Sequence, residues 1–490
     1  MRKPALRQGR SHTLTSCVFP HWIIQQNFCS PAYLVKEMPT LLIFAHECAP
    51  HNRLQSTVGA QRPAQFAKHL AAYGWRAVVL CCDNERRGWR DHKKALSVAK
   101  DEARRALANT PTDEPIFIAT PSLAYDGARD FLWRKTFKSD KPRRGPVAQT
   151  ARRLLTEAKF ATGDWSQSWQ PCARAAAEIV AEDVKIDVVL GEHGPDAGLF
   201  LAHWFAAKYG KKWVADFRDP IAQGFAGLTR VLYARAGKKL LETAAGTINV
   251  TPFWTELDRQ MFGLPAWCIP NGFAEEDYPT VAGPPSPVCE ITYAGNLIPQ
   301  QRLDIFLAGL RLAHESLGPD APKLRFVYRG HAHEKVSQMV ADFGVTALSQ
   351  VSSAMPRQES LASLRQSQIL LLLSFASSEQ EDVYFAEGFY PAKTFEYFGV
   401  RRPILCVPGD GALLDTLLQE TRTGTTVSTP EAVAAHLIAA AQRHAAGEEF
   451  VYRPDENAVA RYSRRNLTGR LASVLNHVNG WENNSPALLS

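Results

Sequence analysis

The feature that most constrains this chain is an alternation of short apolar runs with helix-length segments, which occurs twice along its 490 residues. Thr40–Ala45 reads as a fully buried strand. A helix over Ala60–Tyr73 follows, with Phe66, Leu70 and Tyr73 on one face and Gly74 as its stop. Ala77–Cys82, Ile116–Ala119, Asp187–Gly191, Trp213–Phe217 and Thr247–Val250 read as further strands, with helices near Pro171–Glu182, Asp196–Tyr209 and Arg230–Ala245. Pro279–Val288 holds four prolines and reads as a linker. The alternation then resumes with strands Ile291–Ala294, Leu324–Tyr328, Ile369–Ser374, Pro403–Val407 and Gly424–Val427, and it closes on a helix near Asn457–His477. Strands that alternate with helices pair in parallel and are covered on both faces. The expected fold class is therefore α/β, with two tandem doubly wound, Rossmann-like domains facing a cleft. The expected boundaries are a first domain over 38–278, a linker over 279–288, a second domain over 289–455, and a C-terminal helix and tail over 456–490.

Composition excludes several other classes. Hydrophobic residues make up 45% and charged residues 21%, so the chain can bury sizeable cores and is not a disordered polymer. No apolar run approaches the roughly 18 residues of a membrane span. Nine cysteines without a Cys-x-x-Cys pair argue against a disulfide scaffold or a zinc ribbon, and a reducing cytoplasm is the expected compartment. Residues 1–37 carry five basic side chains against one acidic, and lack both periodicity and the apolar core of a secretion signal. They read as a disordered extension or a mis-assigned start upstream of Met38. Residues 85–160 carry 18 basic side chains against 10 acidic. Nucleic acid is not the expected partner, since basic surface and stacking aromatics are not concentrated as such binders require.

The most specific stretch runs from Tyr390 to Leu405. Lys393 falls on the first turn of a helix, where a cation supplements backbone N–H groups in holding a phosphate. Glu396, at i+3 on the same face, is a carboxylate able to accept two hydrogen bonds from a ribose diol. An ordinary surface ion pair has the same spacing. Other distinctive segments precede it in order: Gly59-Ala60-Gln61-Arg62-Pro63, Ala215-Asp216-Phe217-Arg218-Asp219-Pro220, Ile269-Pro270-Asn271-Gly272-Phe273, and Tyr293-Ala294-Gly295-Asn296-Leu297 followed by Arg302.

Together these segments resemble the GT-B glycosyltransferases, in particular the family 4-like group of bacterial polysaccharide and cell-envelope enzymes, over roughly Thr40 to His477. The resemblance implies sugar transfer with retention from a nucleoside diphosphate donor to a glycan or lipid-linked acceptor. It implies that Glu396 holds the donor ribose, that Lys393 and Arg302 neutralise the diphosphate, and that Gly295 and Gly59 let the backbone approach it from opposite walls. Two departures stand out. Many relatives carry two glutamates eight positions apart, whereas position 388 is glycine and the nearest glutamate is Glu387. The lysine of the diphosphate loop is also missing, with Arg329 beside Gly330 as the substitute.

No Asp-x-Asp triplet occurs, so basic side chains are expected to do a metal's work, with no metal and no cofactor beyond the donor. His46, after the first strand, and Asp219 are the candidates for positioning or deprotonating the acceptor hydroxyl, with Glu192-His193-Gly194 a further candidate. Phe131, Leu132, Trp133 and Phe137 interleave with basic residues between 134 and 144, a pattern suited to an anionic membrane surface, so a peripheral position at its inner face is expected. The rival readings are a nucleotide-sugar epimerase of the same fold and a catalytically silent scaffold.

Overall fold

The computed structural model describes residues 38–481, except 52–57, 112–113, 125–164, 219, 221–226, 279–285, 287, 299–300, 319–322, 376–387 and 449–451. Two parallel sheets organise these residues. The first contains β1 (Thr40–Phe44), β2 (Arg76–Cys82), β3 (Ile116–Thr120), β4 (Val188–His193), β5 (Lys212–Phe217), β6 (Gly246–Asn249) and β7 (Ala266–Cys268). Their order is β3-β2-β1-β4-β5-β6-β7. The second contains β8 (Cys289–Ala294), β9 (Leu324–Arg329), β10 (Ser349–Ser352), β11 (Ile369–Leu373), β12 (Ile404–Val407) and β13 (Gly424–Thr426), in the order β10-β9-β8-β11-β12-β13. The expected pair of doubly wound domains is thus the observed architecture.

Burial explains why these runs are strands. Leu42 of β1 pairs with Val78 on one side and Val189 on the other, so β1 is central and apolar throughout. Its alternate side chains enter different cores. Leu42 and Phe44 pack with the helices His92–Asn109, Gln170–Asp183 and Ala197–Tyr209, while Leu41 and Ile43 pack on the opposite face. The second sheet repeats the arrangement. Ile291, Phe326 and Leu371 face the helices Leu303–Leu317 and Pro430–Ala445, while Leu370, Leu372 and Cys406 face Ala392–Val400 and Leu413–Thr421. In both sheets the strand order reverses beside the first strand, between β1 and β4 and between β8 and β11. Crevices at the carboxyl ends of strands open at such reversals.

The C-terminal helix, Arg464–Asn479, starts at Ser463, whose side chain caps the Asn466 N–H, and stops at Gly480 with φ of 79°. It packs on the first domain. Leu467, Leu471, Val474 and Leu475 join Leu41, Ile43, Phe66 and Trp75 in one buried cluster. The Trp75 indole N–H donates to Asn476 Oδ1 at 2.8 Å, and Lys212 Nζ donates to the Val478 carbonyl at 2.7 Å. Two segments running side by side join the halves of the chain. Phe273 N–H donates to the Tyr462 carbonyl at 3.1 Å, and Arg464 N–H to the Phe273 carbonyl at 2.7 Å. No helix of the described residues is long and apolar enough to cross a membrane. The seven cysteines among the described residues are free, and Cys81 and Cys82 are fully buried in β2.

Candidate functional site: a crevice at the ends of β8, β9 and β11

Gly295 follows β8 with φ of 129°, a backbone region that other residues rarely adopt. Its N–H donates to the Arg329 carbonyl at 2.7 Å, and its own carbonyl accepts from the Tyr328 hydroxyl at 3.1 Å. The loop beyond it is braced from below. The Tyr293 hydroxyl lies 2.7 Å from the Asn296 carbonyl, and Gln301 accepts from the Ile298 N–H at 3.1 Å while donating to the Leu373 carbonyl at 2.9 Å. Gly330 sits so close that a Cβ there would overlap the Gly295 carbonyl, so the loops after β8 and β9 meet through two glycines.

Lys393 is the second residue of the helix Ala392–Val400. Its ammonium lies 5.0 Å from the centre of the Tyr293 ring, and a Cβ on Gly295 would overlap its Cε and Nζ. Lys393 makes no hydrogen bond or ion pair among the described residues. Burial pushes its pKa down, the sign of a cation short of compensation. Glu396 follows one turn later, partly exposed, with its Oε1 3.4 Å from Arg357 Nε. Arg357 in turn reaches Asp277 at 2.8 Å.

The other donor-side candidates are placed differently. Arg302 forks onto Asp304 at 2.9 and 2.7 Å on the exposed start of the helix Leu303–Leu317, and Arg329 donates to the Ser363 hydroxyl. The structure brings Gly295 and Lys393 together, with Glu396 one turn on, and holds Arg302 and Arg329 on other partners. Glu387 and Asp219 lie outside the described residues. Gly388 has a steric reason to be glycine, since a Cβ there would overlap Phe253 and lie 2.6 Å from Trp254 Nε1. Trp254 also packs on Phe389, with ring centres 6.1 Å apart.

The first-domain wall gathers at the ends of β1, β4 and β5. Arg62 is fully buried and forks onto Asp216 with two 2.8 Å bonds, while its Nη1 donates to the Ile269 and Pro270 carbonyls at 2.9 and 3.1 Å. One guanidinium therefore joins three segments that stand far apart in the sequence. The close approach that Gly59 permits is that of Arg218, whose guanidinium would overlap any Cβ placed there. Arg218 Nε lies 3.3 Å from Glu192 Oε1, and burial pushes the Glu192 carboxyl up to about 8. His193 contacts Asp196 at 3.0 Å. His46 is 2% exposed, edge-on to Trp169 at 5.4 Å, and burial followed by the nearby Arg87 pushes its pKa down to about 3. That placement keeps the imidazole neutral inside the wall and weakens it as a base.

Sequence reasoning missed Arg62 and Arg218 as organisers of this wall. Both stand inside the distinctive segments, but only the pairing of Arg62 with Asp216 across 154 residues and the contacts of Arg218 with Glu192 and Gly59 give them a role. Among the described residues no group of three His, Cys, Asp or Glu side chains has the arrangement of a metal site.

No protein-family model matches this sequence, and no curated protein matches it either. Solved structures do. The N-terminal domain of trehalose-6-phosphate phosphatase from Candida albicans aligns at 11% identity over 90% of this chain and 97% of its own, with a TM-score of 0.55. A glycosyltransferase from Rickettsia africae aligns at 13% identity over 91% and 99%, with a TM-score of 0.52. HepE of Anabaena in complex with UDP aligns at 11% identity over 90% and 100%, with a TM-score of 0.50. With both sheets, their strand orders and these likenesses in hand, the fold of this chain is that of the GT-B glycosyltransferases.

Proposed function

We propose that this chain is a retaining, metal-independent glycosyltransferase that moves a sugar from a nucleoside diphosphate donor to a glycan or lipid-linked acceptor. The observation that carries the reading is the meeting of Gly295, with its positive φ, and the desolvated ammonium of Lys393 at the start of a helix, with Glu396 one turn on. A diphosphate seated there receives the helix N–H groups and Lys393 as charge neutralisation, and the close packing of Gly295, Gly330 and Tyr293 limits water. As the glycosidic bond breaks, negative charge grows on the leaving phosphate oxygen, where a preorganised cation stabilises the transition state more than the bound donor. Glu396 holds the ribose and so fixes the register of the donor. That the structural neighbour HepE has been solved in complex with UDP supports a nucleotide donor.

The acceptor enters from the first-domain wall near Arg218, Glu192 and His193. Polysaccharide or cell-envelope glycan assembly, at the inner face of a membrane, is the setting that fits a lipid-linked acceptor. The aromatic and basic stretch that would dock there lies outside the described residues.

Turnover tests the reading. The full chain, incubated in EDTA with UDP-, GDP-, ADP- and dTDP-sugars, releases nucleoside diphosphate from one of them. Lys393→Ala lowers that release by about 10²–10³-fold. Conversion of the donor sugar to its epimer, with no transfer to water or acceptor, identifies the epimerase instead. Absence of any turnover alongside intact nucleotide binding identifies the silent scaffold.

A further inference from the structure

Glu396 belongs to a network that reaches beyond the donor crevice. Its Oε1 faces Arg357 Nε at 3.4 Å, and Arg357 Nη1 donates to Asp277 Oδ2 at 2.8 Å. Asp277 closes the short turn Glu275–Asp277, on the segment leading out of the first domain. The next residue, Tyr278, lies against the same helix as Glu396, since a Cβ on Gly399 would overlap its ring. Gln65, Asp277, Arg357, Glu396 and Arg464 line one small pocket between the two sheets' domains. Arg464 is 3% exposed, and its Nη1 has no hydrogen-bond partner among the described residues. Burial, followed by the nearby Arg62, pushes its pKa down to about 9.

The pocket thus holds two carboxylates, Asp277 and Glu396, and two guanidinium groups, of which Arg357 serves both carboxylates. Arg464 is the competitor. Removing Arg357 leaves Glu396 free to turn toward the underpaired guanidinium of Arg464 and away from the crevice. A ribose diol needs a carboxylate whose plane is fixed, because two hydroxyls must reach acceptor positions together. A site built around such hydroxyls rejects the analogue that lacks one, since a carboxylate oxygen covered by the bound donor is then left unpaired.

We propose that Arg357 is a positioning residue that, anchored on Asp277, aims the Glu396 carboxylate at the donor ribose and makes the site select ribonucleotides over 2′-deoxyribonucleotides. This rests on the donor-site reading given above. The test is calorimetric binding of UDP, GDP, ADP and CDP and of their 2′-deoxy counterparts to the full chain, the Arg357→Gln and Arg357→Lys variants, and Asp277→Asn. Wild type binds one ribonucleotide about tenfold or more tightly than its 2′-deoxy form. Arg357→Gln brings that ratio to within about twofold of unity, while affinity for the 2′-deoxy form changes much less. Arg357→Lys keeps part of the ratio, and Asp277→Asn lowers it. General damage to the fold weakens both ligands alike and leaves the ratio standing, and the lysine and asparagine variants carry the test if the glutamine variant does not fold. A wild-type ratio that persists in all three variants overturns the positioning role and leaves the donor site intact. Wild-type binding without ribose preference overturns it as well. Failure of every nucleotide to bind overturns the donor site and this inference with it.

Discussion

At the scale of single residues, the donor crevice depends on two atoms that nearly touch. Gly295 has no Cβ, so Lys393 Nζ comes to rest against its backbone, above the Tyr293 ring. Gly295→Ala adds a methyl group at that spot and strains a φ of 129°. We expect a stability loss of about 1–3 kcal/mol and loss of nucleotide binding, both measurable by thermal unfolding with and without nucleotide. Glu192 offers a test in the other domain. Its carboxyl, pushed up to about 8 by burial, binds its proton more tightly folded than unfolded. The stability this contributes is fully present below about pH 4.5 and is lost as pH rises through 8. Glu192→Gln removes that dependence, so the fall in stability between pH 6 and 9 shrinks by about 1–3 kcal/mol in denaturant titrations. His46 acts in the opposite sense, its contribution being lost as pH falls from 6.5 toward 3. Lys393, Glu396 and Gly295 stand out in the sequence through the segments that resemble GT-B enzymes, since a helix start and an i+3 spacing alone fit a surface ion pair equally well. Arg62 and Arg218 do not, because what they do lies in partners 25 or more residues away, in one case 208 residues.

At the scale of elements, the central strands could be read because a parallel strand buried on both faces is apolar along its whole length. Two strands escaped that signal. Ser349–Ser352 is a polar strand at the sheet's edge, and Ala266–Cys268 is three residues long. The helix His92–Asn109 escaped for a different reason. Its buried face is the alanine row Ala95, Ala99 and Ala103, at helical spacing but without the large side chains that reveal an amphipathic pattern. The final helix was foreseen near Asn457–His477, yet no local signal says which domain it covers. It returns to the first, placing Leu471 among Leu41, Ile43 and Phe66. Leu471→Ala is therefore expected to destabilise the first domain by about 2–5 kcal/mol, and hydrogen exchange should show the loss in β1 and β2 rather than in β8 and β9.

At the scale of the whole molecule, two sheets of seven and six strands each reverse their strand order beside the first strand, and each reversal gathers distinctive side chains at its carboxyl end. The first reversal holds the buried ionic group of Arg62, Asp216, Glu192 and Arg218, and the second holds Gly295, Lys393 and Glu396. Both junction segments, at Phe273 and at Tyr462–Arg464, run beside the network of Arg357 and Glu396, so the proposed donor site and the join between domains share residues. The second crevice is proposed to bind a nucleoside diphosphate through Lys393 without a metal. The most direct measurement is thermal stabilisation of the full chain by UDP, GDP, ADP, CDP and dTDP in EDTA, compared with Lys393→Ala. One diphosphate at a hundred times its dissociation constant should stabilise the wild-type chain by about 2.7 kcal/mol and the variant far less. Stabilisation by none of them, or equal stabilisation of the variant, would rule out a diphosphate site at Lys393.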